Sequence, residues 1–428
     1  MTFGAQNTHE SRSGLLASAL VLTLNVKGAY LNGTLQETIY MRQPEGCEDG
    51  TGRVCRLIKT LYGLKQAGRE WNNELDGKLK VHEYERLFAD PCAYIRRDAG
   101  NFGILTVWVD DSLLFASSDS TMDHMKDTLR SEWEVTDLGE PSKIVGIEIT
   151  RSDDSISISQ TRYIENVLRK EEMNDANPIR MPMDPHIQLM PNPDDNEPNR
   201  SNSFAKLLGC LQFIANSTGP DISYAVNRLA AYTANPGLQH HGAIKRILRY
   251  LAGTKTLGIT YRKSQDGTEL DNLFHGYADA AYANTDDLKS TTGYVFLAAG
   301  GAITWKSKKQ SVIALSSTEA EYVALSEAGR EATWLRNLYG ELGFPQQSAT
   351  VIKGDNDGSV VLTYNPQFHQ RSKHIAIRHH WVRNLVADKV LSIANCHDPE
   401  QTADVLTKAL PSPKHSRHRE EMGIQSIR

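Results

Sequence analysis

"HGYADAAY" (275–282), "LSSTEAEYVAL" (315–325), "IKGDNDGSV" (352–360) and "EQTADVLTKAL" (400–410) decide the fold of the last third of this 428-residue chain. Each sets a carboxylate among apolar or small residues. In the second stretch the spacing predicts a helix over 317–341. Leu325, Ala328, Ala332 and Leu335 fall at i+4, i+7, i+11 and i+14 from Glu321, which places Glu321 on the buried stripe. Glu319 falls about 160° away on the helical wheel. With Ser316 it makes an S-x-x-E capping box, a pattern that Thr318 and Glu321 also satisfy. The cap is assigned to Glu319 and the unusual, inward position to Glu321.

A buried carboxylate is costly unless it is paired or holds a cation. Asp279 and Asp355 sit near the ends of apolar strands, and Asp404 lies in the first turns of the last helix. Alone, Asp404 would do as an N-cap and Asp355 as a strand-ending turn. Together the four acids read as a cluster for hard divalent cations. Oxygen-only ligation selects Mg²⁺ or Mn²⁺, because no Cys or His set suits zinc. Around them the order reads strand 273–280, strand 292–298, strand 302–307, helix 317–341, strand 349–355, helices 357–364 and 377–388, strand 389–395, helix 399–409. Three consecutive strands followed by alternating helices and strands imply a mixed sheet flanked by helices.

Upstream, "MPMDPHIQLMPNPDDNEPNRSNS" (181–203) is a Pro-, Asn- and Asp-rich linker, and 204–262 is mainly helical. Lys245, Arg246 and Arg249 cluster on the 239–254 helix and are candidates for phosphate contact. So are Arg371, Lys373, His374, Arg378, His379, His380 and Arg383, between the third and fourth acids. In "LTVWVDDSLLFA" (105–116), Asp110 and Asp111 stand in the turn of an apolar hairpin, where Asp is also an ordinary turn residue.

The net charge of −5 excludes a global positive field, so any nucleic acid must be held by local basic patches. Five scattered cysteines (47, 55, 92, 210, 396) without a C-x-x-C pair fit a reducing, intracellular setting. "GLLASALVLTL" (14–24) lacks the basic flank and the small-residue cleavage site of a signal peptide. No apolar run reaches the length of about 18 residues that a membrane span requires.

"GYADAAYANTDDLKSTTGY", "TWKSKKQSVIALSSTEAEYVAL", "GDNDGSVVL", "RSKHIAIRHHWVR" and "QTADVLTKALP" resemble, in order, the ribonuclease H domain of Ty1/copia-type retrotransposon Pol polyproteins. "NVKGAYLNGTLQETIYMRQPEG", "VCRLIKTLYGLKQAGREW", "DLGEPSKIVGIEI", "SQTRYIENVLRK" and "PDISYAVNRLAAY" resemble the reverse transcriptase of the same family. The resemblance implies an α/β (α+β) fold. A truncated palm covers 1–180, a linker 181–203, a helical thumb/connection 204–262, an RNase H-like mixed sheet with flanking helices 273–411, and a tail 412–428. It also implies a divalent-metal site at Asp279, Glu321, Asp355 and Asp404, a polymerase site at Asp110 and Asp111, and a sugar-discriminating aromatic at Tyr30. The implied partners are an RNA/DNA hybrid, an RNA template with DNA primer, and other retroelement proteins. The implied compartment is the cytoplasm, in element particles, or the nucleus.

Three departures from the family pattern stand out. Asn25 occupies the place of the first palm Asp, Gly68 that of a Pro, and His241 that of a Trp. Missing fingers strands and the absence of protease and integrase signatures lead to the expectation of a fragment with impaired polymerase and competent ribonuclease H. The rival expectation is a relic that at most binds nucleic acid. A DDE-type integrase fits poorly, because its last acid would be Glu where this chain has Asp404.

Overall fold

The computed structural model describes residues 20–98, 100–192, 201–263, 273–364 and 377–427. The chain forms two compact units: Met1–Val145 with Asn337–Pro345, and Gly146–Arg336 with Gln346–Arg428.

In the first unit the strands are β1 (Leu20–Val26), β2 (Tyr40–Arg42), β3 (Val54–Arg56), β4 (Glu85–Arg86), β5 (Ala93–Asp98), β6 (Asn101–Trp108), β7 (Asp111–Ala116), β8 (Val135–Gly139) and the short β9 (Lys143–Ile144). Six of them make one sheet in the order β4-β5-β6-β7-β1-β8, while β2 and β3 form a separate ribbon. Of the apolar run that ends at Leu24, the described residues 20–24 lie in an interior strand with neighbours on both sides. The helices Ala67–Val81 and Asp119–Glu132 carry apolar residues at helical spacing and close a core of Leu24, Trp71, Leu75, Tyr94, Leu105, Leu114 and Leu129. The Ser118 hydroxyl caps the second helix by accepting from the Thr121 amide.

The second unit holds β10 (Ile147–Arg151), β11 (Ser155–Ser159), β12 (Leu257–Arg262), β13 (His275–Ala281), β14 (Thr291–Ala298), β15 (Gly301–Lys309), β16 (Thr350–Gly354), β17 (Leu391–Asn395) and β18 (Ile424–Ser426). The expected mixed sheet is present in the order β15-β14-β13-β16-β17. β13, β14 and β15 run antiparallel, and β13, β16 and β17 run parallel. The helix Ser317–Glu341 begins where the capping box places it: Glu319 accepts from the Leu315 amide at 2.8 Å, and its own amide donates to Ser316 Oγ at 3.1 Å.

The structure draws its boundaries differently from the sequence in three places. The strands β10 and β11, expected in a first domain ending at 180, pair onward to β12 within the second unit. The helical segment expected as a separate thumb/connection over 204–262 also belongs there. Its helices Ser201–Ser217 and Ser223–Ala230 are tied to the sheet side by polar bonds that hydrophobic periodicity does not show. Trp305 Nε1 donates to the Ala215 carbonyl at 2.7 Å, and Arg228 pairs with Asp286 at 2.8 Å. Residues 412–426, expected as a tail, form the helix Ser412–Glu421 and β18, which pairs with β12. They are held because Met422 and Ile424 enter the core beside Ile259, Val295 and Leu406.

The helix expected over 399–409 is instead a pair of tight 3₁₀ turns, Asp398–Glu400 and Thr402–Leu406. The buried Gln401 side chain holds this path. Its amide donates to the Ala278 carbonyl at 3.0 Å and its oxygen accepts from the Ala403 amide at 3.3 Å. The close approach needs Gly293 opposite Asp279 on β14, where a Cβ would lie 2.6 Å from Thr407 Cγ2.

Candidate functional site

Among the described residues two acidic sites emerge, one in each unit. In the second unit, Asp279 lies near the C-terminal end of β13, and Asp355 just past the end of the parallel neighbour β16. Glu321 comes down onto them from the first turns of the Ser317–Glu341 helix. One carboxylate oxygen from each of the three lies within 4.8 Å of the others. Asp279 is 2% exposed and Glu321 6%. Burial first, and then the Asp279 and Asp355 charges, push the Glu321 carboxyl up to about 10. Burial raises Asp279 to about 6 against the opposing pull of Lys408.

Asp404 is fully buried, on the Thr402–Leu406 turn. Its oxygens meet Lys408 Nζ at 2.7 Å and Lys414 Nζ at 2.6 Å, and Lys408 Nζ also stands 3.7 Å from Asp279 Oδ2. The Thr407 hydroxyl donates to that same Asp279 oxygen. Burial lowers the Lys408 ammonium, but the Asp279 and Asp404 carboxylates outweigh it and hold the group above its ordinary value. Sequence reasoning missed Lys408, Lys414 and Thr407. Lys408 was findable as the i+4 partner of Asp404; Lys414, in the supposed tail, gave no such signal.

In the first unit the hairpin turn consists of Val109 and Asp110, and Asp111 already opens β7 opposite Trp108. Val109 has a φ of 56°, a left-handed conformation that strains a β-branched residue. Its carbonyl accepts from Trp71 Nε1 at 3.1 Å, and the Asp110 carbonyl accepts from the Val26 amide at 2.7 Å. Those bonds hold the strained turn and aim both acids toward β1. Asn25 lies across from Asp111 in the β1–β7 register and donates from Nδ2 to Asp111 Oδ1 at 2.8 Å. Asp110 Oδ1 accepts from the Ala29 amide at 3.1 Å and from the Tyr62 hydroxyl at 2.6 Å. The Tyr62 ring lies 4.9 Å from that of Tyr30, so Tyr30 reaches the acids through Tyr62. Burial, and then the bond to Asp110, push the Tyr62 phenol up to about 12. Tyr62 was quoted within a motif but not singled out.

Of the basic candidates, Lys245 is exposed. Arg246 faces Asp184 at 3.6 Å, and Arg249 donates to the Asn177 carbonyl at 2.8 Å. Arg383 donates to the Leu362 carbonyl at 2.7 Å and lies over the Tyr322 ring. Arg371, Lys373 and His374 lie outside the described residues; Arg378 falls within the Ile377–Ala387 helix. Gly68 occupies the first turn of the Ala67–Val81 helix, a place where Pro is also accommodated. His241 packs edge-on against Phe204 beside a cleft of about 80 Å³.

Residues 15–185 match the family described as reverse transcriptase (RNA-dependent DNA polymerase). The chain is 38% identical over 414 residues to the retrovirus-related Pol polyprotein from transposon TNT 1-94 of Nicotiana tabacum, spanning 94% of this chain and 31% of that protein. It is 34% identical over 315 residues to the putative transposon Ty5-1 protein of Saccharomyces cerevisiae, spanning 72% of this chain and 100% of that one. Among solved structures, RNase H1 of Halobacterium salinarum NRC-1 matches 31% of this chain and 93% of its own, at 18% identity and a TM-score of 0.21. That score adds no weight, and family membership rests on the sequence relatives. With 94% of its length aligned to a Pol polyprotein and the whole of a Ty5-1 protein covered, the chain belongs to the Pol polyproteins of Ty1/copia-type retrotransposons, with the reverse transcriptase family matched over residues 15–185.

Proposed function

We propose that the second unit hydrolyses the RNA strand of RNA/DNA hybrids with Mg²⁺ or Mn²⁺, and that the first unit is an RNA-directed DNA polymerase impaired at its metal site. The observation that carries the first reading is the convergence of Asp279, Glu321 and Asp355 within 4.8 Å. Three carboxylates, two of them buried and Asp355 half-buried, repel one another, and all-oxygen donors suit a hard divalent cation, so the residues fit such an ion. When bound there, the cation supplies an activated water and stabilises the leaving oxygen of a phosphodiester. The chain's own residues do the rest. Thr407 fixes the orientation of Asp279, Gln401 holds the turn bearing Asp404 against β13, and the Glu319 cap sets the start of the helix that aims Glu321. Arg371, Lys373, His374 and Arg378 are proposed contacts for the hybrid's phosphates. Lys245 is a further candidate; Arg246 and Arg249 already serve Asp184 and Asn177.

For the polymerase the telling observation is the Asn25–Asp111 hydrogen bond. Asn25 removes a carboxylate and also donates to one that would face a cation, so the palm acids have one ligand fewer and one oxygen engaged. RNA template and DNA primer are the proposed partners there, and the element's particles or the nucleus the proposed setting.

The deciding test is cleavage of a labelled RNA strand in an RNA/DNA hybrid with Mg²⁺ or Mn²⁺, comparing the native chain with Asp355→Asn. Cutting by the native chain alone supports the reading. A folded native chain that cuts nothing leaves a relic that only binds nucleic acid.

A further inference from the structure

The second-unit site carries its own cations. Asp404 has both oxygens engaged by ammonium groups, Oδ1 by Lys408 at 2.7 Å and Oδ2 by Lys414 at 2.6 Å. Lys408 reaches further, to 3.7 Å from Asp279 Oδ2. It therefore stands between the fourth acid and one member of the converging three. A divalent ion bridging Asp279 and Asp404 would need that space, and it would meet the charge of the Lys408 ammonium, whose side chain is 41% exposed while both acids are buried.

The charge balance points the same way. With all four acids ionised, Lys408 and Lys414 leave the site two negative charges in excess, which a single divalent cation cancels. A second would leave an uncompensated positive pair in a site where Asp279, Glu321 and Asp404 are all buried. Lys414 adds a structural link, because it arrives on the Ser412–Glu421 helix and ties the end of the chain to the fourth acid.

We propose that Lys408 is the resident positive charge between Asp279 and Asp404, so that the site takes one divalent cation, on Asp279, Glu321 and Asp355, where four acids alone would take two. This rests on the ribonuclease H reading and specifies its metal content. Lys408 is a positioning residue: it orders Asp279 and Asp404, and its proton need not move.

The test counts Mn²⁺ bound by the full chain without nucleic acid, by calorimetric titration and by electron paramagnetic resonance. All proteins carry Asp110→Asn so that the palm acids add no ion. One Mn²⁺ is expected for the native site and for Lys408→Arg. Lys408→Met keeps the length of the stem but removes the charge. It is expected to bind a second ion about tenfold or more tightly than the native site does, with Mn–Mn coupling in the spectrum. A merely structural lysine would lower the melting temperature without changing the ion count. If Lys408→Met does not fold, Lys408→Gln replaces it, and the native count remains a test by itself. Two ions of similar affinity in the native protein overturn this inference and leave the ribonuclease reading standing. No Mn²⁺ lost on adding Asp355→Asn overturns both.

Discussion

Replacing Glu321 by Gln should make the metal-free protein more stable, and the size of the gain follows from the site. The carboxyl is pushed up to about 10 in the folded chain, first by burial and then by Asp279 and Asp355, against 4.5 as its ordinary value. A raised pKa for an acid means that the folded state binds the proton more tightly than the unfolded state. The native chain therefore loses stability as pH rises from about 4.5, and continues to lose it up to about 10. Between 4.5 and 7, at about 1.4 kcal/mol per pH unit, the loss amounts to about 3 kcal/mol. Gln carries no such penalty, and its amide can donate to Asp279 as the protonated Glu321 does. For a unit of this size about 3 kcal/mol corresponds to a rise of about 5 °C or more in melting temperature. The assay is thermal and urea unfolding of the native chain and Glu321→Gln in EDTA at pH 5, 7 and 8. The advantage of the variant should be small at pH 5 and grow with pH. Adding Mn²⁺ should favour the native chain and shrink the gap, because only the intact trio binds it well. A variant equal to or less stable than the native chain at every pH in EDTA would refute the claim that three carboxylates are forced together here.

Two further outcomes are expected. Asn25→Asp places two carboxylates across the β1–β7 pair where an amide now bonds Asp111 at 2.8 Å. It should destabilise the metal-free first unit and raise Mn²⁺-supported primer extension on an RNA template about 100-fold or more; a folded, metal-binding variant with no gain in extension would count against Asn25 as the cause of impairment. His241→Trp should fill the cleft of about 80 Å³ beside Phe204, Leu207, Ile244 and Leu248. The gain is read as a higher urea midpoint with hybrid cleavage unchanged; a lower midpoint would mean that the cleft cannot admit an indole.

The sequence by itself determined the family, the mixed sheet and the inward-facing glutamate. Those rest on local signals: an i, i+4, i+7, i+11 stripe, a capping box, and acids placed against apolar strand ends. It also showed that Asn25 was out of place. Tertiary structure alone decided what the acids face. The Asn25 amide meets Asp111 only because β1 and β7 pair in one register, across 86 positions of chain. Lys414 meets Asp404 only because a polar C-terminal segment is anchored by Met422 and Ile424, two apolar residues too few to give a periodic signal. The division into units was likewise hidden, since single bonds such as Trp305 to Ala215 and Arg228 to Asp286 carry no pattern along the chain. Periodicity reports which face of an element is buried. Which charge waits on the other side of that burial is a property of distant residues, and it appears only when the chain is folded.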